Sequence, residues 1–258
     1  MRIGIFPTAP QASKVAADMV LELYRENPDA TLGVATGSTP EYLYDYLRQA
    51  HAAGTLSLER AKAFALDEYV GLPDDHPQTY RNVLRRELVG NDKTGLREDY
   101  LFTPGLAAPA DDPTVTADQY DAAIEATGVD LQILGLGADG HIGFNEPGDS
   151  LVSRTHAEVL APDTIRDNAR FFNGDETAVP KKCITQGLGT IMDAKALVLL
   201  AFGKQKAEAV HQLIEGPVSA RWPVTILQTH PEVTVLLDDA AASNLELTDF
   251  YKRRWELA

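Results

Sequence analysis

Asp139, His141 and Glu146 fall within eight residues of one another in the segment LGLGADGHIGFNEPG, Leu134–Gly148. A carboxylate beside an imidazole fixes the ring's tautomer and raises its pKa, and this is how a proton shuttle is assembled near neutral pH. The same three side chains could ligate a metal. Asp-x-His…Glu, however, lacks the i,i+4 helical geometry of a zinc site, and no cysteine assists, so no metal is expected. A histidine buried for packing alone stays open at this level. The segment also contains Gly135-Leu136-Gly137-Ala138-Asp139-Gly140, a literal G-x-G-x-x-G. A dinucleotide turn needs those glycines to open a helix. Here Gly143, Pro147 and Gly148 follow and would interrupt one, so a nicotinamide cofactor is not expected.

Three other places carry chemistry. Asp67-Glu68-Tyr69 comes directly after the apolar run Ala63–Leu66. Partial desolvation at a strand end raises a carboxylate's pKa, which suits Asp67 to act as a general base. A pair of solvated loop acids is the alternative. Thr36-Gly37-Ser38-Thr39-Pro40 leaves a strand and enters a helix. Pro40 suits the first helical turn, Ser38 or Thr39 suits the cap, and Gly37 lets a ligand approach the backbone. Free N–H groups there would bind an anion such as phosphate, although a plain capped turn reads the same way. It is not a P-loop, because the Gly-Lys-Ser/Thr ending is absent. Finally, Arg170 and the pair Lys204 and Lys206 stand out in an acidic chain. Cations at a helix start oppose the dipole, and a bound anion would compensate them.

The elements that must position these groups alternate. Strand-like runs at Arg2–Phe6, Thr31–Ala35, Ala61–Leu66, Asp130–Leu136, Ala196–Phe202 and Glu232–Leu237 are separated by helical periodicity. The helices fall at Gln11–Arg25, Pro40–Ala53, Thr79–Leu88, Thr116–Ala126 and Lys204–Ile214, with a last one at Leu247–Glu256. This pattern predicts an α/β fold, a doubly wound, mostly parallel sheet with helices on both faces. Ligands in such sheets bind at the carboxyl ends of the strands, where Gly37, Asp67, Gly137 and Lys206 all fall. Thr103–Pro113 is the most loop-like stretch but is too short to divide the chain, so a single domain over residues 1–258 is expected.

Composition narrows the function. Hydrophobic residues at 44% and charged residues at 24% describe an ordinary globular chain. A formal charge of −15 argues against nucleic acid as the main ligand and demands a local cluster of basic residues if the substrate is anionic. The single cysteine excludes an internal disulfide and suits a reducing compartment. The N-terminus lacks a signal-peptide apolar core, and no apolar run approaches the roughly 20 residues that span a bilayer. A cytoplasmic protein without membrane contact is expected.

Taken in order, ATGSTP (Ala35–Pro40), LDEYVGLP (Leu66–Pro73), GADGHIGFNEPG (Gly137–Gly148), SRTH (Ser153–His156), ARFF (Ala169–Phe172), ITQGLGTIMDA (Ile184–Ala194) and GKQKA (Gly203–Ala207) resemble the glucosamine-6-phosphate deaminase family over nearly the whole chain. The resemblance implies a Rossmann-like α/β sheet. It also implies conversion of glucosamine 6-phosphate and water to fructose 6-phosphate and ammonia, without metal or cofactor. It makes Asp67 the base that moves the proton from C2 to C1 of the opened sugar. His141 assists ring opening, with Asp139 and Glu146 holding and tuning it. The phosphosugar would sit on Gly37, Ser38, Thr39 and Gly137 with Arg170 and Lys206.

Part of the family is activated by N-acetylglucosamine 6-phosphate at a subunit interface, through a basic pair whose positions here look like His156 and Glu158. An acid there repels phosphate, so that activation is not expected, and a monomer is favoured over a homo-oligomer. The nearest alternative is a 6-phosphogluconolactonase, which shares a G-x-G-x-D-G-H stretch; Phe144-Asn145-Glu146-Pro147 and LDEYVGLP speak against it. Galactosamine 6-phosphate as substrate stays open, because epimer choice depends on pocket shape. A non-catalytic sugar-phosphate sensor would have no use for Asp67, His141 and Glu146.

Overall fold

The computed structural model describes residues 1–105 and 112–257. The main sheet is built from β1 (Arg2–Phe6), β2 (Thr31–Val34), β3 (Lys62–Ala65), β5 (Leu101–Phe102), β6 (Leu131–Leu134), β9 (Leu197–Ala201) and β10 (Val233–Asp238). Its order is β1-β10-β9-β6-β2-β3-β5, and each neighbouring pair is parallel. Every residue of β2, β6 and β9 is buried, so these strands are covered on both faces. The helices α1 (Ala9–Glu26), α2 (Glu41–Ala52), α3 (Tyr80–Leu88), α4 (Pro113–Thr127), α7 (Ala207–Glu215) and α8 (Thr248–Glu256) pack around the sheet.

From β2 the chain winds outward through β3 to β5. It then returns to the middle at β6 and winds the other way through β9 to β10. The direction reverses between β2 and β6, and a doubly wound sheet opens a crevice at such a point. The two loops leaving that crevice are Thr36–Pro40 and Gly135–Gly148. The first is pinned from behind by Tyr44 on α2, whose hydroxyl donates to Ala35 O at 2.7 Å and accepts from Ala35 N at 3.2 Å. α2 itself is placed by Leu43, Tyr44 and Leu47, one buried stripe at helical spacing.

A second, antiparallel sheet, β4-β8-β7, stands beside the crevice. It comprises β4 (Asp67–Tyr69), β7 (His156–Val159) and β8 (Lys182–Thr185), with the short helices α5 (Pro162–Asn168) and α6 (Leu188–Met192) beside β7 and β8 in the chain. Asp67-Glu68-Tyr69 is therefore a buried strand and not the loop its acids suggested. The switch between sheets takes one residue. Leu66 donates its N–H to Val34 O of the large sheet at 3.0 Å and accepts from Gln186 N at 2.7 Å, beyond the end of β8. The small sheet covers its own core of Tyr69, Phe144, Leu160, Phe172, Val179 and Cys183, separate from the main one.

The other predicted elements hold to within a few residues, with two differences. The segment predicted as a helix from Lys204 begins as a 3-10 turn, Lys204–Lys206, and becomes α-helical only at Ala207. Of the loop-like stretch Thr103–Pro113, residues 106–111 lie outside the described residues, and Pro113 already belongs to α4. Among the described residues, no helix is long and apolar enough to cross a membrane.

Candidate active site

A cleft of about 330 Å³ opens at the crevice between β2 and β6. Of the residues singled out in the sequence, Gly37, Ser38, Thr39, Asp67, Gly137, His141, Arg170 and Lys206 line it. Asp139 and Glu146 do not. They stand behind His141.

Asp67 enters at the first residue of β4, paired with Thr185 of β8, and is only 7% exposed. Burial pushes its carboxyl well above the usual carboxylate range, and the negative charge of Glu68 adds to the rise. Glu68 points the other way. Its carboxylate accepts N–H groups from Tyr69 at 2.8 Å, Tyr80 at 2.9 Å and Arg81 at 2.9 Å, the last two from the start of α3. Burial still raises it to about 7, against the lowering effect of those three donors. The acid pair thus divides, one group gripping a helix start and one left facing the cleft.

His141 is held by the tight turn that follows β6. Gly137 N donates to His141 O at 2.9 Å, and Gly140 N to Gly137 O at 3.2 Å. The imidazole packs against Gly137, where a Cβ would come within 2.3 Å of Nδ1 and displace the ring. Nδ1 is 2.7 Å from Asp139 Oδ1 and 3.9 Å from Glu146 Oε2. The Asp139 oxygen lies off the ring N–H direction and also accepts the His141 amide at 3.2 Å. Burial would raise Asp139, but its contact with His141 outweighs this and holds it at about 2. Glu146 Oε1 accepts from Thr164 Oγ1 at 2.6 Å, whereas Oε2 is buried without an aligned partner. Nδ1 of His141 is likewise unaligned, so the two face each other as an unfinished relay.

The G-x-G-x-x-G reading fails structurally, because these glycines open a turn and no helix follows before α5. Folding brings one ligand atom each of Asp139, His141 and Glu146 within 4.8 Å of one another, although no helix presents them.

The third corner is cationic. α2 starts after Pro40 with no side-chain cap, so Ser38 and Thr39 do not cap it as their types suggested. Gly37 adopts φ +87° with open space over its α-carbon, a conformation that glycine takes without penalty. Lys206 and Arg170 line the same cleft as this turn and make no ion pair among the described residues. Burial lowers Lys206, and Arg170 lowers it further, while Asp167 and Asp139 oppose this. Lys204 is exposed and does not line the cleft, so only one of the two lysines reaches the site.

Several positioning residues escaped the sequence reading. Asn145 is fully buried, and its Nδ2 donates to Ile142 O at 2.8 Å and Gln186 O at 2.9 Å. Thr185 Oγ1 accepts from Phe144 N at 3.1 Å. Together they bolt the His141 loop to the small sheet. α5 supplies Thr164, and Asn168 one turn later donates to the Tyr69 hydroxyl at 2.9 Å. The i,i+4 spacing of Thr164 and Asn168 is visible in the sequence, but a seven-residue helix with little apolar content gives no periodic signal.

The chain matches the family described as "Glucosamine-6-phosphate isomerases/6-phosphogluconolactonase" over residues 8–236. It is 52% identical to glucosamine-6-phosphate deaminases of Mycolicibacterium smegmatis and of Beutenbergia cavernae. Each alignment covers 99% of this chain and 97% of the relative. A solved structure described as a monomeric glucosamine-6-phosphate deaminase is 39% identical, with a TM-score of 0.90 over 95% of this chain and all of that one. A 6-phosphogluconolactonase from Trypanosoma cruzi shares the fold, with a TM-score of 0.74 over 95% of this chain and 97% of that one, at 24% identity.

Proposed function

The chain belongs to the glucosamine-6-phosphate isomerase/6-phosphogluconolactonase family, and from that premise we propose that it converts glucosamine 6-phosphate and water to fructose 6-phosphate and ammonia. The observation that carries the reading is a buried carboxyl, Asp67, facing the same cleft as a carboxylate-backed imidazole, His141, and an unpaired cationic corner, Arg170 and Lys206. A lactone hydrolase has no need of a base aimed at a carbon-bound proton. An aldose–ketose isomerase does.

The phosphate seats on the Gly37–Thr39 turn between Lys206 and Arg170, which sets the sugar's direction. His141 takes the proton of the C1 hydroxyl and delivers it to the ring oxygen as the bond between C1 and that oxygen breaks, leaving the open aldehyde. Asp139 and Glu146 stabilise the imidazolium that forms between the two proton transfers. Asp67 then takes the C2 proton. The electron pair forms the C1–C2 double bond as the carbonyl pair moves to the C1 oxygen, which takes a proton from the substrate ammonium to give an enolamine, and Asp67 then returns its proton at C1. The resulting C2 imine adds water, and ammonia leaves.

Asp67 must be ionised to act. Its burial opposes this, and the positively charged amine of bound glucosamine 6-phosphate offsets the penalty where it is needed. Folding supports one catalytic unit, since the cleft takes residues from both sheets. The reading extends to a cytoplasmic monomer without activation by N-acetylglucosamine 6-phosphate, because Asp149 and Glu158 flank His156 with negative charge.

Release of ammonia and fructose 6-phosphate from glucosamine 6-phosphate tests the proposal, with galactosamine 6-phosphate and 6-phosphogluconolactone as parallel substrates. Hydrolysis of the lactone without ammonia release would overturn it. Faster turnover of the galactosamine epimer would move the substrate and keep the chemistry. Light scattering and the shape of the rate curve test the monomer and its lack of activation.

A further inference from the structure

We propose that Asp149, His156 and Glu158 form a binding site for one divalent transition-metal ion of the zinc class, on the small sheet behind the His141 loop. His156 and Glu158 are two residues apart on the edge strand β7 and so share one face of it. Both are half-buried, while Ala157 and Val159 between and beyond them are exposed. Asp149 arrives from the end of the His141 loop. One ligand atom from each of the three lies within 4.8 Å of the others.

The hydrogen bonds around the cluster orient it. His156 Nδ1 is 2.8 Å from Arg154 O. A carbonyl oxygen can only accept, so in the neutral ring the proton sits on Nδ1 and the lone pair on Nε2. Nε2 faces Glu158 Oε2 at 3.6 Å. Two acceptors therefore face each other, and a third carboxylate closes the group. Each carboxylate is steadied by a backbone donor. Glu158 Oε1 accepts from Val159 N at 2.7 Å, and Asp149 Oδ2 accepts from Glu146 N at 2.7 Å. This is the outer shell that metal ligands need, an imidazole with its far nitrogen on a carbonyl and carboxylates held by N–H groups.

Charge points the same way. Among the described residues, no lysine or arginine pairs with Asp149 or Glu158. Two carboxylates and a neutral imidazole carry a charge that a divalent ion matches. Tetrahedral zinc with bonds of about 2.0–2.1 Å separates its ligands by roughly 3.4 Å, close to the Nε2–Oε2 distance, so only Asp149 has to close in. Three protein ligands leave one position to water. Because Asp149 also holds the Glu146 amide, the ion would tie the return of the His141 loop to β7. The site stands apart from the proposed reaction and needs no substrate.

Zinc bound by the chain, measured by equilibrium dialysis and metal analysis at pH about 7.5, tests this. One ion per chain is expected, at micromolar affinity. Affinity should fall by about 10-fold or more in His156→Gln and in Glu158→Gln. It should be unchanged in His141→Gln, which removes the other cluster able to offer three ligand atoms among the described residues. Saturating zinc should raise the melting temperature of the unmodified chain by about 5 °C. In the same chain it should shield His156 from acylation by diethylpyrocarbonate, read by mass spectrometry, so the proposal does not depend on the variants folding. Absence of stoichiometric zinc, or an ion lost in His141→Gln and kept in His156→Gln, would overturn it. So would unshielded His156 in the zinc-loaded chain.

Discussion

β2, β6 and β9 contain no ionisable side chain, and β10 has only Asp238 at its carboxyl end, where it accepts Gly203 N at 3.0 Å and Ala241 N at 2.7 Å. The small sheet beside them places two carboxylates in succession, Asp67 at 7% and Glu68 at 1% exposure. At its centre, in β2, β6 and β9, the large sheet is held by its backbone ladder and apolar packing without a charged side chain. The small one is crowded with groups whose charge is costly where they sit. A site that needs a base poised near neutrality must keep a carboxyl out of water, and that costs stability. Here the cost falls on a small sheet with its own minor core, and the large sheet is left to hold the loops still.

The difference makes ranked predictions. Asp67→Asn should lower kcat by about 10²–10⁴-fold while leaving the melting temperature at or above its former value, because a poorly solvated charge is removed. Undiminished turnover would break the assignment of the base. Leu200→Ala, in the fully buried β9, should do the reverse. It should cost about 2–5 kcal/mol in chemical denaturation, with kcat per folded molecule little changed.

Lys206→Ala should raise KM by about 10–100-fold, the loss of a charge-assisted contact to phosphate, with a smaller effect on kcat. Equal losses in both would move Lys206 from binding to chemistry. Thr164→Val frees Glu146 Oε1 from its hydroxyl donor. It should lower kcat by about 5–10-fold, and Thr164→Ser should restore it, which a purely packing role would not predict.

Glu68→Gln gives the smallest effect and tests the coupling within the acid pair. In the proposed mechanism Asp67 acts ionised, so activity should rise with pH through the Asp67 pKa. The raised pKa places that acid limb above the usual carboxylate range near 4. Removing the negative charge of Glu68 lowers the Asp67 pKa, and the limb of kcat/KM should move to lower pH. A limb that stays in place would show that desolvation alone sets it.

Much of this protein is legible in its residues. Short apolar runs mark the long strands of the large sheet and period-3.6 patterns mark most of the helices, because a strand covered on both faces is apolar throughout and a helix packed on a core shows its period locally. The turn glycines and the Asp139-Gly140-His141 spacing are legible for the same reason, since a tight turn and a short carboxylate–imidazole pair are set within a few residues. The resemblance to the deaminase family then attaches roles to Asp67, His141 and Glu146.

What the chain does not show locally is whatever depends on contacts far apart in sequence. β4 and β8 are short strands whose pairing joins Asp67 to Thr185, and neither has enough residues to betray a period. Only that pairing turns Asp67 and Glu68 from loop acids into buried ones with raised pKa values. Only α5 explains why Glu146 shows His141 one oxygen and not the other. Asp149 meets His156 and Glu158 because β7 folds back beside the loop's end. Element type is a local preference, read from neighbours along the chain. Burial, and with it acidity and the meeting of three acceptors, is a property of what lies across the fold.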